Sequence, residues 1–366
     1  MVDMTSLTEM HSGPGATARI RRRRWAETRL KIYGILAIFL AGAALVALLS
    51  SVVGKAVGAL SETYITFPIT IDAAEIDPEN TGDPAIIRRG DFSGLTKDML
   101  KEQFPNAKGR KTRRALYDLT SSGAAFELAD YVSQNPQLLG ETIEFRFLAS
   151  DVTDLYLKND FGKLEETQVQ GVLTAAEGND DWRITSTVND FSAALRRVKG
   201  GLLLEAQRVR RQAALQQNGV LFYEEALAGA ETEEARKQAE AQLSGRIAAR
   251  DKLLAQADEL ETRSADATSA EELGEQNRSV LINANGGWFK VTKIDSSFAE
   301  AEMVTAPEGP IESSSDWRLM ITELPETSRK ITDNQIVWIE TLLETGQVEQ
   351  VFNTRFFSSG DSREPE

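Results

Sequence analysis

The sequence predicts an α+β domain that follows a single transmembrane helix and is interrupted by a long antiparallel helical hairpin. Three observations carry this reading. The run from Ile32 to Gly54 contains no charged residue. Segments such as "ETIEFRFLAS" alternate apolar and charged residues with period two, the mark of a half-buried strand. A proline-free region from about Ser192 to Arg278 is rich in Ala, Glu, Gln, Arg and Leu, the composition of long helices.

Residues 1–31 read as a disordered, basic, cytoplasmic leader, beginning with the small polar stretch "MVDMTSLTEMHSGPGATA" and its Pro-Gly break. Residues 32–54 then form the membrane helix, whose length of about 34 Å suits a hydrocarbon core of about 30 Å. A secretory signal would carry a shorter apolar stretch behind a short basic leader. Here the whole of Met1–Lys31 precedes the run, so it reads as an uncleaved anchor. Arg19, Arg21, Arg22, Arg23, Arg24, Arg29 and Lys31 crowd one flank and assign it to the cytoplasm. Everything after Lys55 is then expected outside. Trp25 and Tyr64 read as interfacial anchors.

Residues 60–191 form the first part of the α+β domain. "ETYITFPITID" is a strand signal interrupted by Pro68, and "DPENTGDP" is a loop. Helices follow from Thr96 and through "TRRALYDLTSSGAAFELADYVSQNP", bounded by Pro105 and Pro136. Further strands are expected at Asp181–Phe191, Gly286–Ile294 and Asp316–Leu324. The hairpin occupies 192–278. Its first arm spaces Leu195, Val198, Leu202, Ala206, Val209, Ala213 and Val220 at helical intervals, and its second spaces Ala235, Ala239, Leu243, Ile247, Leu254, Ala257 and Leu260. Gln216 and Arg250 interrupt the stripes. Residues 279–358 complete the domain, with a capped helix over Thr332–Glu344 whose apolar face is Ile336, Ile339, Leu342 and Leu343. Residues 359–366 read as a linker.

Charge and composition exclude several function classes. Residues 1–31 carry seven basic and three acidic side chains and the remainder 34 and 53, so a leader of +4 precedes a region of −19 within the overall −15. A region so acidic does not bind nucleic acid by counterion release. The chain has no cysteine, which removes disulfides, thiol nucleophiles and thiolate metal sites. The one histidine, His11, lies in the leader. Neither a phosphate-cradling GxxxxGK[ST] loop nor a GxSxG elbow occurs. No enzyme activity, catalytic residue, metal or cofactor is expected. "EGNDDW" at Glu177–Trp182 lacks the spacing of a calcium loop and reads as an acidic turn between strands.

Lys108, Arg110, Lys111, Arg113 and Arg114 reverse the local sign of charge. They are candidates for contact with an anion, a lipid headgroup or an acidic partner, beside the plainer reading of a solvated loop and helix start.

Several stretches together carry a resemblance. "RRRRWAETRLKIYG" running into the span, "ETYITFPITIDAAEIDP", "RRALYDLTSSGAAFELADYV" at Arg113–Val132, "ITDNQIVWIETLLETGQVEQVFN" at Ile331–Asn353 and the terminal "VFNTRFFSSGDSREPE" are similar to the N-terminal extension of the Pst-type permease of bacterial phosphate ABC importers. The likeness runs from the start of the chain to about Asn135 and resumes from about Thr332 to the end. It implies membership of an inorganic phosphate importer whose partners are membrane lipid, a second permease subunit, an ATPase subunit and a periplasmic phosphate-binding protein. The transporter core of that family is missing, since no second apolar run of membrane-spanning length follows Gly54, and residues 359–366 would lead into the absent core. A free-standing, single-span envelope adaptor or sensor that uses the hairpin for protein interaction is the alternative expectation. A membrane-tethered hydrolase working with paired acids is a third.

Overall fold

The computed structural model of the protein describes residues 14–159, 164–178 and 181–353. Two compact units make up this part of the chain, residues 14–61 with 352–353 and residues 62–351.

The first unit is built on α1 (Pro14–Ala59). Within it Glu27–Gly54 is long and apolar enough to cross a membrane, the one such helix among the described residues. Its large side chains are open on all sides, with Ile35, Phe39 and Leu45 at 68%, 72% and 58% exposure. An apolar surface of this extent is consistent with a membrane-spanning helix. The disordered leader expected over 1–31 is not what the structure shows from Pro14 onward, where the chain is already helical. Ala, Arg, Leu, Glu and Lys dominate this stretch and are strong helix formers, so the apolar helix extends back through the arginine run. His11 lies outside the described residues.

The second unit is a mixed α/β domain with two sheets and a packed helix pair. β1 (Ser61–Thr70) runs between β2 (Thr142–Leu148) and β11 (Val348–Phe352). Pro68 is accommodated by geometry. The Ile71 amide donates to Glu141 and the Thr66 amide to Gln347, so alternate residues face alternate neighbours. The Pro68 nitrogen thus points toward the side on which β11 has not yet begun, and no ladder bond is lost.

Between β1 and β2 lie α2 (Ala73–Ile76), α3 (Pro84–Ile87), α4 (Phe92–Gln103), α5 (Arg110–Tyr117) and α6 (Ala124–Gln134). Asp72, Asp83 and Asp91 cap α2, α3 and α4 through their carboxylates. Asp91 moves the start of α4 ahead of the expected Thr96. The stretch expected to be helical from Thr112 divides into α5 and α6, where Thr120 bridges Ala149 and the Ser121 amide bonds the Leu148 carbonyl. α7 (Asp151–Leu157), capped by Ser150, follows β2.

The larger sheet has the order β3 (Leu164–Thr167), β10 (Trp317–Pro325), β7 (Arg278–Ala284), β8 (Gly287–Ile294), β9 (Phe298–Thr305), β5 (Trp182–Ser186), β4 (Leu173–Glu177), with β6 (Glu271–Glu272) pairing β8. Both its faces are covered. Leu281, Trp288, Val304 and Met320 join a core with β1, α4, α6 and α10 (Asp333–Glu344). Their strand neighbours Val280, Ile282, Phe289, Leu319 and Ile321 pack instead against Phe191, Ala194, Leu195 and Val198. Period two distributes the side chains to the two faces. Asn285 and Gly286 close the β7–β8 turn at φ 53° and 74°, where the second position suits glycine because no Cβ opposes the left-handed backbone.

The strand expected over Asp181–Phe191 is shorter. It ends at Ser186, and Phe191 already begins α8 (Phe191–Ala228). α8 and α9 (Glu233–Ala265) form the packed pair. Arg210 meets Asp258 and Glu261 while Arg250 meets Gln217, so the helices run antiparallel. All seven residues of the expected α8 stripe are buried. The α9 stripe is looser: Ala239, Ala257 and Leu260 are buried, Leu243, Ile247 and Leu254 are half-buried, and Ala235 is exposed. The two expected interruptions act as ties, since Arg246 donates to Gln216 and Arg250 to Gln217, each at 2.8 Å. The helices stop at Ala265, and 266–277 form turns and β6 rather than more helix.

Candidate functional site

A cleft of about 760 Å³ opens on the α4–α6 side of the domain. α4 buries Phe92, Leu95 and Met99 and gives Ser93, Thr96 and Lys97 to the cleft wall. α5 is short and strongly basic; Leu116 is its buried anchor, which leaves Lys111, Arg114 and Asp118 on the lining. The turn at Thr120–Ser122 and the start of α7, Ser150 and Asp151, contribute hydroxyls and one carboxylate. Lys330 and Thr332, at the approach to α10, close the remaining side.

Local chemistry fixes these walls. Thr332 accepts the Gln335 amide while the Gln335 side chain accepts from the Thr332 amide, a reciprocal cap that satisfies two backbone donors. The same Gln335 donates through Nε2 to the Ala115 carbonyl at 3.0 Å, joining α10 to α5 across 220 residues of sequence. Lys97 lies over the Tyr117 ring at 5.9 Å. Lys111 Nζ sits 2.5 Å from Glu275. That hydrogen bond raises the lysine above its ordinary range and lowers the glutamate below its own.

Behind the cleft lies a buried ionic cluster. Lys290 bridges Glu326 at 2.9 Å and Asp333 at 2.8 Å, and Asp333 also pairs with Arg329 at 2.5 Å. Burial alone would raise the Asp333 carboxyl; the Glu326 hydrogen bond and the Lys290 and Arg329 charges outweigh it and hold it well below the usual carboxylate range. Glu326 moves the other way, pushed up first by burial and then by the neighbouring Asp333 carboxyl. Burial lowers Lys290, but Asp333 and Glu326 more than offset this and leave it raised. Nearby, Tyr156 donates to Glu340 at 2.6 Å, and burial together with that carboxylate pushes its hydroxyl up.

Residues 17–166 match the family model of a domain of unknown function, DUF3333. No curated protein and no solved structure matches the chain. The DUF3333 match runs from α1 to β3 and takes in Lys97, Lys111 and Arg114, while Lys330 and Thr332 lie beyond it.

Of the five cations singled out in the sequence, Lys111 and Arg114 line the cleft. Lys108, Arg110 and Arg113 are exposed and do not. Sequence reasoning missed Lys97, Lys330 and the hydroxyls, for which no local signal existed, because they converge from distant elements. Tyr64 is half-buried in β1 with Arg146 over its ring at 4.8 Å. Glu177 and Trp182 pair across β4 and β5, as an acidic turn requires; Asn179 and Asp180 lie outside the described residues. Among the described residues no group of three His, Cys, Asp or Glu is placed to hold a metal ion. What the cleft offers is electrostatic recognition, with cations at its edge and hydroxyls and small apolar groups within.

Proposed function

We propose that the chain is the membrane anchor and extracytoplasmic α+β domain of the permease subunit of a bacterial phosphate ABC importer. Its α1 is a true transmembrane helix with the arginine-rich end in the cytoplasm and the domain in the periplasm. The domain works by recognition, without covalent chemistry, and positions the periplasmic phosphate-binding protein near the pore. Tethering of this kind turns a bimolecular search into a local one.

The observation that carries the reading is a hydrogen bond at the domain's two chain ends. The Asn353 amide donates to the carbonyl of Leu60, the residue directly after α1, at 2.7 Å. A domain inserted between membrane segments of a permease needs its two ends side by side, and this pair provides that. The sequence resemblance at both ends of the domain supports the same reading, with the second permease subunit and the ATPase subunit as further partners.

The test is phosphate uptake at limiting phosphate in cells whose only importer carries the permease with residues 62–351 replaced by a short linker. Uptake and cross-linking to the phosphate-binding protein are expected to fall together. Unchanged uptake and unchanged cross-linking would sink the proposal.

A second reading, a free-standing envelope adaptor, is favoured by one observation. Leu204, Leu215 and Phe222 on α8 are 56%, 68% and 65% exposed, which suits an interaction arm. Loss of partner capture on substituting these three residues, with uptake intact, would favour it.

A further inference from the structure

The cleft combines room for a sizeable ligand with a rim of positive charge on an acidic chain. We propose that it is a docking groove for an acidic, partly apolar peptide segment of a partner protein. This inference rests on the cleft alone and requires no phosphate importer around it.

Its cations come from three elements: Lys97 from α4, Lys111 and Arg114 from α5, and Lys330 from the approach to α10. All four are exposed, with Lys111 already paired to Glu275 at 2.5 Å, so they form a charged rim rather than a buried cradle. Three of the lining hydroxyls that could donate to a single oxyanion are already engaged: Thr96 donates to the Phe92 carbonyl, Ser150 to Thr153 Oγ1 and Thr332 to Gln335 Oε1. Between the rim residues lie Leu100, Ala115, Ala125 and Val152, which suit aliphatic side chains. A volume of about 760 Å³ falls in the range of sites that enclose a ligand much larger than an inorganic ion.

Asp118 and Asp151 share the lining. They repel a uniformly anionic surface such as a lipid bilayer and favour a segment whose carboxylates are spaced to meet the cations. On a chain of net charge −15, such a basic island both attracts acidic segments and fixes where they bind.

The full chain, held in a neutral detergent, is titrated into a fluorescein-labelled peptide of alternating Glu and Leu while anisotropy is followed. Binding is expected, weakened about tenfold or more by Lys97→Glu combined with Arg114→Glu. The control, Lys108→Glu with Arg113→Glu, reverses equal charge outside the cleft and leaves binding unchanged. Absence of binding, or equal weakening by both pairs, overturns the proposal. So does displacement of the peptide at fixed ionic strength by low-millimolar inorganic phosphate, which would mark a single-oxyanion site, or by phosphatidylglycerol vesicles, which would mark a lipid surface. Circular dichroism melts check that each variant folds, and Lys330→Glu gives a second cleft variant if the first pair does not. Phosphate uptake is not read, so failure here leaves the importer reading standing, and failure of that reading leaves this one.

Discussion

The Lys199 ammonium lies 2.9 Å from the Glu271 carboxylate, with the two side chains 4% and 3% exposed. The same ammonium donates to the Arg263 carbonyl at 2.9 Å and to Ser269 Oγ at 3.0 Å, and Arg263 pairs with the other Glu271 oxygen. One buried cluster therefore fastens α8, α9 and β6 together at the root of the hairpin. Removing Glu271 leaves the buried Lys199 ammonium without a counter-charge, whereas removing Lys199 leaves Glu271 paired with Arg263. Glu271→Ala should lower unfolding stability by about 3–5 kcal/mol, and Lys199→Met with Glu271→Leu by clearly less. Chemical denaturation of the two variants checks this; a loss under about 1 kcal/mol for Glu271→Ala would show that the cluster is not a fastening.

The Asp333–Glu326 pair gives stability a pH dependence with two opposed parts. Asp333 titrates lower in the folded chain than in the unfolded one, so its contribution is complete above its ordinary value of 3.8 and is lost as pH falls below it. Glu326 titrates higher when folded, so the folded chain takes up that proton first and stability grows as pH falls toward 4.5. Asp333→Asn is expected to be strongly destabilising at pH 7 and progressively less so below 3.8. Glu326→Gln should gain on the parent at pH 7 and lose that advantage near 4.5. Melting curves across this range decide it, and parallel curves for parent and both variants would refute the assignment.

Thr332→Ala removes the N-cap of α10 and half of a reciprocal pair. About 1–2 kcal/mol of stability should go with it, while Thr332→Ser keeps the hydroxyl and should cost little. Equal stability of the two variants by urea unfolding would contradict the cap.

Three glycines predict opposite signs. A Cβ on Gly171 would lie 2.0 Å from Ser186 Oγ and 2.7 Å from Asp190 Oδ2, inside the contacts by which Asp190 receives the Gln170 and Gly171 amides. Gly171→Ala should destabilise by about 1–3 kcal/mol. Gly200 and Gly245 sit inside α8 and α9, with nothing within 4 Å of an added Cβ. Gly200→Ala and Gly245→Ala should each raise stability by about 0.5–1 kcal/mol. Thermal shifts of one common sign at all three positions would be incompatible with this packing.

The hairpin is legible because an amphipathic stripe is a local pattern: Leu202, Ala206 and Val209 announce their burial by spacing alone. Lys199 sits in the same arm, yet nothing local distinguishes a buried lysine from a solvated one; its meaning depends on Glu271, 72 residues away. β9, "FAEAEMVT", hides for a different reason. Ala, Glu and Met favour helix, and only pairing with β8 and β5 makes it a strand. The Asn285-Gly286 turn is an available signal for the β7–β8 hairpin, and β7 itself begins where the expected helical insertion ends, at Arg278. The cleft is half visible, through Lys111 and Arg114, because charge reversal is local. Its other walls come from Ser93 to Val152 and from Lys330 to Gln335, a conjunction that only the fold makes.

The bond between Leu60 and Asn353 gives the domain the character of a removable cassette. With its two ends already 2.7 Å apart, donor to acceptor, the polypeptide between them can be excised, exchanged or grafted into another host without asking the flanking chain to move. An engineer could use the same seam to display a different domain after α1.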